Sequence, residues 1–174
     1  MDAVSDPVCI ATAVRAVDGT IADFRIEHVN SAACRWAGRS RESLVDAEVG
    51  AVLPSLRERG LFEAMTRVVE TGETFSASAI AYDDVVAGGR AVSGAYDITV
   101  TPYAAGYIGV WRDVSEREAS VAEVRRSSEL VRAIVDSSPF ATMAFDTERR
   151  ILFWNRSSER IFGWSAVEVI GKPF

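Results

Sequence analysis

The chain has 174 residues, 48% hydrophobic and 25% charged, enough for the core of one large domain, or of one small domain and a piece of another. Its formal net charge of −6 disfavours a general nucleic-acid binder, which needs a basic face for phosphates. No apolar run is long enough to span a bilayer.

The opening MDAVSDPVCI carries an acid where a signal peptide has its basic start. After Asp6-Pro7, the run VCIATAV predicts a strand, the turn Val17-Asp18-Gly19-Thr20 follows, and Phe24 to Val29 predicts a second strand. Asn30 then suits a helix N-cap, because its side-chain oxygen can accept from N–H groups two or three residues on. The short helix SAACRWA ends at Gly38, where glycine takes a left-handed C-cap at little cost.

Residues Arg41 to Leu53 predict broken short helices before Pro54, and a firmer helix runs from about Gly60 to Thr71. On it Leu61, Met65, Val68 and Val69 share one face. TFSASAIAY predicts a strand before the loop DDVVAGGR, with Asp83 and Asp84 at a solvated hairpin tip and Gly88-Gly89 as its turn signal. Strict alternation puts Val92, Tyr96, Ile98 and Val100 on one face of the next strand, and Ala104-Ala105-Gly106 turns into a last strand, YIGVWR. The stretch DVSEREASVAEVRRSSELVRAIVD lacks Gly and Pro and predicts one long helix, with Asp113 and Glu116 as a capping box. The fold class is therefore α+β, a five-stranded antiparallel sheet with short helices on one face, followed by a long linker helix.

Beyond Asp136 the pattern starts again. Asn30, Arg35, Gly38 and Ser40 correspond without a gap to Asn155, Arg160, Gly163 and Ser165. Each copy reads as a strand ending in Asn, a helix, Gly-x-Ser and an acidic, Val- or Leu-rich turn: N-SAACRWA-G-R-S-RESLVD, then N-RSSERIF-G-W-S-AVEVIG. With the exit WRDVSERE, Trp111 to Glu118, the unit resembles a PAS domain, a sensory module of bacterial signalling proteins. Its structural signature here is Asn30, Gly38, Asp113, Asn155 and Gly163. The division expected is an N-terminal tail at 1–4, a PAS-like domain at 5–112, a signalling helix at 113–136 and the start of a second PAS-like domain at 137–174. The last stretch has too few residues to bury a core, so a fragment of a longer multi-domain protein is expected.

Catalysis needs a nucleophile, a base and an orienting group, or a metal set, and the chain has one histidine. No metal spacing occurs among the acids. His28, placed on the strand face of Phe24 and Ile26, is read as a structural or surface residue, with ligand gating or pH sensing as the alternative. Cys9 and Cys34 stand in no metal or redox spacing and read as small hydrophobes with reduced thiols, which fits a cytoplasmic protein. The resemblance disfavours haem, because relatives that bind it place a histidine on the longer helix, and LFEAMTRVVET has none. Flavin is disfavoured likewise, since EVGAVLPSL stands where photosensory relatives carry Asn-Cys-Arg.

What remains is an apolar interior. Candidates to line a ligand cavity are Ile26, His28, Leu53, Met65, Val69, Ile98 and Val110, and a guest there would be small and mostly apolar. Along the long helix Val114, Val121, Ser128 and Val135, with Arg117, Val124 and Val131, recur at a heptad period. That period predicts a homodimeric coiled-coil seam of Val114, Val121, Val124, Val131 and Val135, against the alternative that the stripe packs on its own sheet. The expected function is a sensory, dimerising module that passes a signal to an output such as a histidine kinase, a diguanylate cyclase or a phosphatase. The alternative is a ligand-free domain that only holds subunits together.

Overall fold

A computed structural model describes residues 5–86, 88 and 90–174. The tail at 1–4 and Gly89 of the expected glycine turn lie outside the described residues. The chain divides into two compact units, residues 1–118 and 119–174.

In the first unit β1 (Val8–Arg15), β2 (Ile21–Val29), β3 (Phe75–Val86), β4 (Arg90–Tyr103) and β5 (Gly106–Asp113) form one antiparallel sheet in the order β2-β1-β5-β4-β3. Between β2 and β3 run α1 (Ser31–Ala37), α2 (Arg41–Leu44), α3 (Val49–Val52), a 3-10 turn at Pro54–Leu56 and α4 (Leu61–Thr71). The apolar stripes predicted by period two and period 3.6 meet in one core. Phe24, Ile26, Tyr96, Val100 and Tyr107 from the sheet pack with Ala33, Leu44, Val52, Leu56, Phe62 and Val68 from the helices. Phe24 is fully buried, edge-on to Tyr107 at 4.9 Å between ring centroids.

Asn30 joins the layers. Its Oδ1 accepts from Ala33 N at 2.9 Å, which caps α1, and from Val8 N at 3.0 Å on β1, while its Nδ2 donates to Asp6 O at 2.8 Å. Gly38 closes α1 at φ 68°, the left-handed region that favours glycine. The crossing from β5 into the long helix α5 (Ser115–Ser137) is tied to β4: Val114 N donates to Ala95 O at 2.8 Å and Ala95 N donates to Ser115 Oγ at 2.9 Å.

Four expectations need correction. β3 continues through Asp83 and Asp84 to Val86, so those acids lie in a strand and Asp84 is buried; pairing with Val92 and Ser93 carries the ladder past the expected loop. β2 starts at Ile21, where pairing with Arg15 begins. α5 starts two residues late, at Ser115, and Asp113 Oδ1 accepts from Ser115 N at 2.9 Å. Val114 is 5% exposed, so the first position of the expected seam is buried.

In the second unit β6 (Met143–Phe145) and β7 (Ile151–Trp154) pair, followed by α6 (Arg156–Phe162) and α7 (Ala166–Val169). Asn155 repeats the role of Asn30: its Oδ1 takes Thr142 N at 3.0 Å and Ser158 N at 2.9 Å, and its Nδ2 donates to Phe140 O at 3.0 Å. Gly163 closes α6 at φ 79°. Contrary to expectation a small core does form, from Ile151, Trp154 and Val169 with Met143 and Ala166 against them. Leu152, Ile161, Trp164 and Phe174 nevertheless stay exposed.

Candidate ligand cavity

Between the inner face of the sheet and the helices of the first unit lies a cavity of about 90 Å³. Its lining is aliphatic and aromatic, with the sulfur atoms of Cys9 and Met65 and no charged side chain. Of the residues singled out from sequence, Ile26, Leu53, Met65, Ile98 and Val110 line it, whereas His28 and Val69 do not. Val69 packs, partly buried, against the surrounding core.

His28 is displaced by a bulge. Ile10 pairs with His28 but Ala11 pairs with Ile26, so Glu27 is skipped and the alternation of β2 slips by one residue. Val29 therefore follows Ile26 inward. The His28 Nε2 atom is buried without a hydrogen-bond partner among the described residues.

Of the aromatic part of the lining, the sequence patterns single out only Tyr96, by the alternation of its strand. Trp36 on α1 stands edge-on to Trp111 on β5, 5.1 Å between ring centroids, and to Tyr96 on β4 at 6.0 Å. Tyr82 on β3 continues the series, 6.4 Å from Tyr96. Period two was the available signal: Trp111 alternates with Tyr107 and Gly109 along β5, and all three line the cavity.

Two polar groups near this wall, the Tyr82 hydroxyl and the Asp84 carboxylate, are occupied by the protein itself. Tyr82 O–H donates to Asp84 Oδ2 at 2.5 Å, and the same carboxylate accepts from Ser55 N at 3.2 Å and Ser55 Oγ at 3.0 Å. Burial first, then that hydrogen bond, pushes the Tyr82 phenol far above its ordinary pKa, so it stays protonated. Burial alone pushes the Cys9 thiol up to about 12, leaving it neutral on the lining. The arrangement can sequester an uncharged molecule, but it supplies neither counter-charge nor nucleophile. Among the described residues no group of three His, Cys, Asp or Glu side chains is placed to hold a metal, and no helix is long and apolar enough to cross a membrane.

A bulge and an ion pair connect the cavity wall to α5. Ile98 and Tyr96 line the cavity from β4, and Asp97 lies between them. Asp97 Oδ1 accepts from Ala79 N at 2.9 Å, at the bulge where β3 departs from regular pairing and Ala79 takes φ 52°. Its other oxygen meets Arg117 Nη1 of α5 at 3.4 Å.

A search of curated protein sequences gave no match. Solved structures with a similar fold include a PAS domain from Colwellia psychrerythraea, at 19% identity over 66% of this chain and 91% of that one, TM-score 0.45. The PAS domain of BvgS from Bordetella pertussis matches at 18% identity over 74% and 90%, TM-score 0.48. A domain of a sensory box sensor histidine kinase/response regulator from Geobacter sulfurreducens matches at 19% over 63% and 84%, TM-score 0.45. Two family profiles, each described as PAS fold, match residues 14–119 and 129–174. The first of them spans more than half of the sequence, and on that match the chain belongs to the PAS family.

Proposed function

We propose that the first unit is a sensory module that reads a small ligand or a conformational signal and transmits it through α5. The observation that supports this is the junction at the end of β5. Trp111 lines the cavity, and three residues later Val114 and Ser115 are hydrogen-bonded to Ala95, the neighbour of the lining residue Tyr96. A change in cavity filling that shifts β4 against β5 therefore acts on backbone groups that hold the root of α5. The Asp97–Arg117 pair adds direction more than energy, because Arg117 is 55% exposed and exposed ion pairs are worth about 0–1 kcal/mol.

In this reading α5 works as a parallel homodimer. Val121, Val124 and Val131 are exposed at heptad spacing, Val135 is half-buried, and β-branched residues suit a two-stranded seam. Burial of Val114 shortens the seam so that it starts at Val121. The module itself performs no catalysis. It works in the cytoplasm, a placement supported by its two unpaired thiols, and passes its signal toward an output such as a histidine kinase, a diguanylate cyclase or a phosphatase.

Light scattering tests the seam. The wild-type chain is expected to be a dimer at high micromolar concentration, and Val121→Glu with Val124→Glu is expected to be a monomer with unchanged circular dichroism. A monomeric wild type, or a double variant that remains dimeric, removes the coiled-coil route.

A further inference from the structure

We propose that the cavity takes a wholly nonpolar molecule of about four carbons, a light alkane or alkene with no hydrogen-bonding group. This rests on the reading of the cavity as a ligand site. The wall presents almost no polar surface. The Nε1 atoms of Trp36 and Trp111 are buried away from it, and the Tyr82 hydroxyl is turned to Asp84. Where β1 and β5 form the wall, Cys9 pairs with Gly109 and their backbones belong to the ladder. Cys9 and Met65 bring sulfur, which is a weak hydrogen-bonding partner.

The chemistry of the guest follows by exclusion. Ordered water needs about two to four polar partners, which this wall does not supply. A carboxylate would be stripped of water with no Arg, Lys or His on the lining to balance it. A quaternary ammonium suits aromatic faces, but no acid lines the cavity to offset its lost hydration. A ketone or alcohol would leave its oxygen unpaired, a state that buried polar groups nearly always avoid. A hydrocarbon has no such group to satisfy, and it restores the dispersion contacts that an empty void forfeits. Volume bounds the size. An apolar cavity of ~150 Å³ admits benzene, about 25 Å³ per carbon, and at that ratio the 90 Å³ here holds about four carbons.

The test is a nuclear magnetic resonance titration of the full chain carrying carbon-13 methyl groups on Ile and Met. 2-Methylpropene is compared with acetone, in which an oxygen replaces its CH₂ group, and with acetate, tetramethylammonium and cyclohexane. 2-Methylpropene is expected to move the methyl resonances of Ile26, Ile98 and Met65, which line the cavity. Ile151, in the separate core of the second unit, is expected to stay in place. 2-Methylpropene should bind at least about tenfold more tightly than acetone, whose oxygen would be buried unpaired. Acetate and tetramethylammonium should leave the lining methyls unmoved, and cyclohexane should bind more weakly because it overfills the space. If acetone, acetate or tetramethylammonium binds as tightly as 2-methylpropene, the nonpolar assignment is wrong while the cavity remains a ligand site. Tighter binding of cyclohexane than of 2-methylpropene overturns the size limit, again with the ligand site standing. If no probe moves any lining methyl, the assignment and the ligand-site reading both fall.

Discussion

Replacing Asn30 by alanine is the most direct test of how the first unit is held together. The side chain is 0% exposed and its backbone partners include Val8 N, Ala33 N and Asp6 O. Losing the cap of α1 costs about 1 kcal/mol. Val8 N is left on a buried residue at the start of β1, where an unsatisfied donor costs about 1–3 kcal/mol. Together these give about 3 kcal/mol. A unit of about 110 residues unfolds with roughly 0.23 kcal/mol/K, so its melting temperature should fall by about 13 °C. Native-state hydrogen exchange on the full chain reads the same loss as a protection decrease of roughly 150-fold at the β1 and β5 amides. Asn155→Ala is the internal control, since its partners lie in the second unit and β1 protection should be unchanged. An Asn30→Ala melting temperature within about 2 °C of wild type would refute the view that this side chain joins the layers.

Gly106→Ala should unfold the first unit or cost more than about 3 kcal/mol, because the new Cβ would stand 1.9 Å from Ala11 O and 2.6 Å from Thr12 Cα on the paired strand; a far-ultraviolet dichroism spectrum and melting curve like those of wild type would contradict that. The Asp6 carboxyl is held below its ordinary pKa by hydrogen bonds from Arg112, the closest at 2.6 Å. Its contribution is therefore present above the unfolded value of about 3.9 and lost as pH falls through the lower folded value. Asp6→Asn should flatten the acid side of the melting temperature against pH, and two curves of equal slope would count against the pairing.

Local chemistry made much of this protein legible before its fold was known. Asn30 and Gly38 bound α1 as expected because a cap and a left-handed stop need only the few residues around them. The alternation of Val92, Tyr96 and Val100 and the helical stripe of Leu61 and Val68 similarly mark which faces are buried. The repeat of Asn30 at Asn155 was equally plain, because the same staple demands the same residue types.

Tertiary pairing decided the rest. No local signal says that β2 skips Glu27 opposite β1, yet that skip sends Val29 inward instead of His28. Asp83 and Asp84 look like turn residues until β4 offers them partners, and Asp84 tolerates burial because Tyr82 and Ser55 hydrogen-bond to it. Val114 fits a heptad by spacing alone, but its N–H is committed to Ala95 and its side chain is buried. The convergence of Trp36 and Trp111, 75 positions apart in sequence, depends on α1 crossing the sheet opposite β5. Periodicity reports which face of an element turns inward, whereas register and crossing set which residues meet there, and those depend on partners distant in the chain.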